Sequence, residues 1–305
     1  NHYTLTLDGN FTITSGTFLA QQGNHTVKGN WSNSGTFNHG SGTVTFNGTG
    51  AQTIKTGSNN FYNLRNSNTS GNTVSLITDD FVLDGSGTFT IDASSIFVLA
   101  GKNFNKQGGT LINNGIFQMY GNETLNTAFS IPGNVKLVGT GSLITVTSSI
   151  NGFANLELAP SGSVTFFLSE AVVISGNLII GSNATFDVTG SNYALSVGGN
   201  WTNSGTFVDQ TGTVTFNGAG AQSLTPGSSS FYNLSTATDN TDLTLQADIT
   251  VTNDLTIAGN TTLDVGSNRG ITVGGNFANS GTFTDQQGTV TFNGTGTLTS
   301  GGSEL

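Results

Sequence analysis

The feature that most constrains this chain is its self-similarity. Val27 to Leu64 reads VKGNWSNSGTFNHGSGTVTFNGTGAQTIKTGSNNFYNL, and Val197 to Leu234 reads VGGNWTNSGTFVDQTGTVTFNGAGAQSLTPGSSSFYNL; the two are equal in length and align without a gap. A third copy starts at Val273 as VGGNFANSGTFTDQQGTVTFNGTG. A degenerate fourth lies at 100–109 (AGKNFNKQGG), with GIFQMYG at 115–121 standing where GTVTFNG stands elsewhere. The Asn before the aromatic falls at Asn30, Asn103, Asn200 and Asn276, spacings of 73, 97 and 76 by subtraction. The long middle interval is explained by about 18 extra residues near 121–139, enough for one more coil or for a protruding loop.

Repeats of this kind cannot bury a core singly and must stack. The chain therefore reads as a single elongated solenoid over 1–305, with units of approximately 1–29 (partial), 30–102, 103–199, 200–275 and 276–305 (partial). SGTF at Ser15 to Phe18 recurs at Ser34 to Phe37, 19 residues later, and Val273 precedes Phe292 by 19. A 76-residue unit is then four coils of about 19, with three triangular coils of about 25 as the alternative. In Thr213–Gly218 (TVTFNG), period-two alternation points Val214 and Phe216 inward and leaves Thr213 and Thr215 on the exposed pleat, where a β-branched polar residue fits. Asn47-Gly48, Ser34-Gly35, Asn217-Gly218 and Asn293-Gly294 are expected to supply positive φ at tight corners. Stacking should also turn the repeated Phe and Asn into axial ladders about 4.8 Å apart. The fold class expected is all-β, a parallel β-solenoid. The richness in Gly (44 residues), Asn, Thr and Ser disfavours helix throughout.

Charge removes several functions. Only 8% of residues are charged, and the seven bases (Lys28, Lys55, Arg65, Lys102, Lys106, Lys136, Arg269) are scattered singly, so no patch exists for a phosphate backbone. Nucleic acid is not an expected partner. No apolar run approaches the roughly 20 residues of a membrane helix, so membrane insertion is not expected. Without Cys there is neither a disulfide framework nor a thiolate metal site, which fits the cytosol or the cell exterior equally.

The strings GNWTNSGTF, GTVTFNGTGAQ and FYNL, with the Gly/Asn/Thr bias, resemble the repeats of large secreted bacterial surface proteins of the filamentous-haemagglutinin and adhesin kind. The resemblance covers nearly the whole sequence. It implies a parallel β-solenoid, an extracellular or cell-surface location, and a role in adhesion or extracellular fibres. It brings no functional residue with it. The function expected is structural: a subunit of a self-assembling head-to-tail filament or a stalk segment of a surface adhesin, with a glycan-binding adhesin module as the alternative.

Individual residues divide by their chemistry. Residues 1–29 match the second half of a unit and 276–305 the first part of one, so Leu5, Leu7, Phe11, Thr297, Leu298 and Leu305 are candidate self-association positions. Excision from a longer solenoid explains the same phase. Asp79-Asp80 is the only adjacent acid pair and is expected in a solvated turn; no constellation suits an enzyme, including the polysaccharide-active β-helix kind. His2, His25 and His39 crowd the N-terminal part, but His39 fills the slot of Asp209 and Asp285 and reads as a variable surface position. Asp187, Asp209, Asp264 and Asp285 recur with the unit and are the candidates for Ca²⁺, although no EF-hand loop or GGxGxD repeat is present; otherwise no cofactor is expected. Thr43/Thr45, Thr145/Thr147, Thr213/Thr215 and Thr289/Thr291 are spaced as in an ice-binding face, which needs such a pair in every coil. Among the Asn-x-Ser/Thr sites, Asn10, Asn24, Asn47, Asn68, Asn122, Asn183 and Asn260 are the glycosylation candidates. Trp31 and Trp201 share a slot with Phe104 and Phe277 and read as core before sugar platform.

Overall fold

The computed structural model describes residues 3–69, 71–126, 128–146, 150–237 and 240–301. Of the residues singled out above, His2, Thr147 and Leu305 lie outside them. Among the described residues there is no helix; parallel strands stack as a β-solenoid of about 14 turns, with coils about 21 residues apart. Contacts divide the protein into two compact units, Asn1–Val138 with Ser149–Asn151, and Gly139–Ser148 with Gly152–Leu305.

Each unit has three faces, visited in turn. In the first, one face runs Leu5–Leu7, Asn24–Val27, Thr43–Phe46 and residues 63–66 of the strand Phe61–Asn66. The next runs Phe11–Ile13, Trp31–Asn33, Gln52–Lys55, Thr73–Leu76, Ile96–Val98 and Ile116–Met119. The third begins with Thr17–Leu19 and Thr36–Asn38 and continues through Phe61, Phe81 and Phe104. The stretch near 121–139 winds as a coil, since Leu125 bridges to Phe104 and Asn134 to Leu137 pair with Ile116 to Met119. In the second unit the corresponding stacks include Val164–Leu168, Ala184–Asp187 and Thr206–Val208. A second face holds Leu195–Val197, Thr213–Phe216, Asn233–Thr236, Leu255–Ile257 and Phe277–Asn279. The third holds Leu178–Ile180, Trp201–Asn203, Gly220–Thr225, Thr241–Leu245 and Thr262–Asp264.

These registers explain the sequence repeat and correct two expectations. From Trp201 to Phe277 is 76 residues, and the backbone makes eleven strand steps between them, counting the single bridge at Phe231. Eleven steps on three faces is three and two-thirds turns, so the turn is about 21 residues and neither 19 nor 25 is its uniform length. Both values do occur locally: Asn24 pairs with Thr43, and Asn63 pairs with Thr88 across a register shift. Consequently Trp201 and Phe277 lie on different faces, and repeat-equivalent residues do not stack on each other. The ladders form instead between non-equivalent residues of neighbouring coils, such as Phe11 on Trp31 at 4.3 Å and Phe81 on Phe104 at 5.0 Å.

Alternation decides what is inside. Val214 and Phe216 are buried while Thr213 and Thr215 are half-buried, as the pleat requires. Fully buried Trp31, Trp201, Phe46, Phe81, Phe104 and Phe186 fill the interior, each contributing roughly 1.5–3 kcal/mol by burial alone. The glycines of the Asn-Gly and Ser-Gly pairs do not have positive φ, contrary to expectation. A Cβ at Gly35, Gly48, Gly218 or Gly294 would instead run into a carbonyl of the preceding coil, so close approach is what demands glycine there. Left-handed backbone falls at other corners, including Gly57 and Gly227.

Candidate functional site

The most organised polar chemistry of this molecule lies between coils. Asn33, Asn203 and Asn279 sit two residues after the core aromatic, hence on its inward side, and are 0%, 3% and 1% exposed. Each uses both ends of its amide. Nδ2 donates to Thr56 O (3.0 Å), Pro226 O (2.9 Å) and Ser300 O (2.9 Å), respectively, in the following coil. Oδ1 accepts the N–H of Gly35, Gly205 or Gly281 at 2.9 Å. Gln52 and Gln222 form a second clamp, buried at 1% and 4%. Gln52 Nε2 donates to Val27 O (3.0 Å) and Gly29 O (2.6 Å), while its Oε1 accepts from Gly48 N (2.9 Å). Gln222 repeats this on Val197 O, Gly199 O and Gly218 N. An exposed ladder completes the set: Asn155 Oδ1 accepts from Asn177 N, Asn177 Oδ1 from Asn200 N, and Asn200 Oδ1 from Ser223 N, all at 2.8 Å. Each satisfied amide contributes about 1 kcal/mol per bond and would cost more if left unpaired.

Carboxylates serve the same purpose. Asp79 Oδ2 accepts from Gly57 N at 2.9 Å, toward the preceding coil, and Asp80 Oδ1 from Asn103 N at 2.8 Å, toward the following one. The pair diverges and joins three coils. Glu123 is 1% exposed, with Oε1 accepting from Tyr120 N (2.7 Å) and Gly101 N (3.1 Å) and Oε2 from Gly121 N (2.8 Å). Asp187 Oδ1 accepts from Thr189 N and Gln210 Nε2, and Asp264 Oδ1 from Gly266 N. Asp209 is different: burial pushes its carboxyl above the usual carboxylate range, against the pull of its own backbone N–H and that of Tyr232, and its Oδ2 is buried without a partner. Among the described residues no three His, Asp or Glu side chains come together as a metal site.

The histidines separate. His25 is buried at 4% with Nε2 2.8 Å from Ala20 O. His39 lies outside, its Nδ1 accepting from Ser41 N and its Nε2 3.6 Å from Asp84. Trp31 and Trp201 are 2% and 0% exposed, so neither presents a ring to a sugar. Thr43 and Thr45 are followed on their face by Asn63 and Arg65, which interrupts a flat Thr array.

Of the glycosylation candidates, Asn10, Asn24, Asn122, Asn183 and Asn260 are exposed and Asn47 is half-buried. Asn68 is a correction: it is 0% exposed and its Nδ2 donates to Gly50 O and Gln52 Oε1, so that nitrogen cannot carry a glycan in this fold. Among the end positions, Leu5 and Leu7 are half-buried, Phe11 is buried beneath Trp31, and Thr297 and Leu298 are exposed. One surface depression of about 380 Å³ is lined by Asn38, His39, Ser58 and Asn59 among others. The inward Asn and Gln clamps escape a reading of the sequence for sites, yet a signal for them is present: Asn33 shares parity with Trp31, and Gln52 with Ile54.

No family model, curated protein or solved structure matches this sequence.

Proposed function

We propose that this protein is a structural segment of an extracellular assembly, a building block of a self-associating filament or a stalk segment of a secreted surface adhesin, rather than an enzyme. One observation carries the reading. What the repeats have in common is what binds coil to coil: the core aromatics, the inward Asn33, Asn203 and Asn279 and, in two of the three close copies, the Gln52 and Gln222 clamps. One slot they do not share, His39, Asp209 and Asp285, is half-buried in the first two copies and exposed in the third. A turn count of three and two-thirds per repeat also sends equivalent motifs to different faces, which suits continuous stacking and works against a repeated binding face. Light scattering of the isolated protein and electron microscopy of native material test the reading. Rods built by stacking are expected; discrete particles whose surface captures a defined glycan would overturn it.

A further inference from the structure

The corner after the Thr-Val-Thr-Phe strand carries an Asn-Gly step in three copies, Asn47-Gly48, Asn217-Gly218 and Asn293-Gly294. A Cβ at these glycines would strike the carbonyls of Lys28, Gly198 and Gly274, so the fold imposes glycine at each. Glycine also leaves its nitrogen unhindered beside the preceding Asn side chain, the arrangement in which an Asn cyclises most readily. In two copies that nitrogen is held. Gly48 N–H donates to Gln52 Oε1 at 2.9 Å and Gly218 N–H to Gln222 Oε1 at 3.2 Å, and both glutamines are anchored through Nε2 to the preceding coil.

The third copy lacks this guard. Thr297 N takes the bond to Asn276 Oδ1 that Thr53 N makes to Asn30, and Leu298 stacks on Phe277 as Ile54 does on Trp31. The corner is therefore shorter by the Ala-Gln pair, NGTGAQTI becoming NGTGTL. Gly294 therefore has no glutamine at the position from which Gln52 and Gln222 reach Gly48 and Gly218.

We propose that Asn293 is a site of spontaneous self-modification. The Gly294 nitrogen attacks Asn293 Cγ; the new N–C bond forms as the Cγ–Nδ2 bond of the amide breaks, and ammonia leaves carrying the Gly294 proton. Water then opens the succinimide to aspartate or isoaspartate, and no other co-reactant is needed. The product places a carboxylate where a neutral amide stood. As isoaspartate it also lengthens the backbone by one methylene, directly after the Thr289–Phe292 strand paired with Gly270–Val273. This chemistry is independent of the structural role proposed above.

The test is incubation of the full-length protein at mildly alkaline pH, followed by peptide mapping with mass spectrometry. Asn293 is expected to convert about tenfold faster than Asn47 and Asn217, the rate equivalent of one hydrogen bond. Insertion of Ala-Gln between Gly296 and Thr297 should bring Asn293 down to the rate of the other two. Gln222→Met should raise Asn217 to the rate of Asn293; circular dichroism checks that this variant is folded, and the insertion decides alone if it is not. Equal conversion at the three sites, or an insertion that leaves the Asn293 rate unchanged, overturns the proposal.

Discussion

Replacing Asn203 by Ala removes an inter-coil clamp without touching the aromatic core. Asn203 is 3% exposed; its Nδ2 donates to Pro226 O at 2.9 Å and Ser229 Oγ at 3.0 Å, and its Oδ1 accepts from Gly205 N at 2.9 Å. Three bonds lost at roughly 1 kcal/mol each give a destabilisation of about 3 kcal/mol, with more if Pro226 O or Gly205 N stays dry. Because a solenoid is held by nearest-neighbour contacts, the loss should be local. Hydrogen exchange with urea denaturation reads both quantities. Amides of Gly205 and Phe207 should lose protection, the latter because Ser229 Oγ also accepts Phe207 N at 2.8 Å, while Val44 to Phe46 keep theirs. Asn203→Asp should cost at least as much, since it retains the acceptor but presents a buried carboxylate to the Pro226 carbonyl. A loss under about 1 kcal/mol, or one spread evenly over all coils, refutes the reasoning.

Trp201→Phe should change stability by less than about 1.5 kcal/mol, because Phe277 and Phe104 fill the same motif position and Trp201 Nε1 has no partner to lose; Trp201→Ala should cost about 3–5 kcal/mol, both read by urea denaturation. Gly218→Ala should unfold or badly weaken its coil, its Cβ meeting the Gly198 carbonyl, whereas Gly190→Ala, with open space around it, should melt like the parent. Asp209 gives a pH signature. Its folded carboxyl holds a proton more tightly than the unfolded one, so stability falls as pH rises from below the unfolded value of 3.8 through the raised folded value. Asp209→Asn should therefore be more stable than the parent at neutral pH and lose that advantage in acid, as urea titrations across pH would record. Melting with and without chelator should coincide, because Oδ1 of Asp187 and of Asp264 already accepts a neighbouring backbone N–H and, among the described residues, no three His, Asp or Glu side chains gather around a cation position.

Architecture was legible in the sequence wherever alternation or repetition spoke directly. Val214 and Phe216 inward, Thr213 and Thr215 outward, and Trp31 and Trp201 in the core all follow from period two and from slot-sharing with Phe. The coil length was not legible, since 76 residues divide by three or by four into coils of reasonable size, and strand and corner lengths vary too much to reveal eleven steps on three faces. Nor was the purpose of the corner glycines. Asn-Gly reads as a positive-φ turn, but the crowding at Gly48 and Gly218 comes from carbonyls about 20 residues earlier, which no local pattern contains. Asn68 looked like any other Asn-x-Ser/Thr site; only the Gln52 clamp of the neighbouring coil shows why it is buried.

Electron microscopy of the native assembly, with and without residues 200–275, tests the structural role most directly. That segment is one repeat, so its removal should leave the coil continuous. Rods should persist, each copy contributing about 18 Å less, from three and two-thirds turns at about 4.8 Å per turn. Loss of the rods, or particles of unchanged dimension whose ligand binding disappears with the segment, would contradict the account.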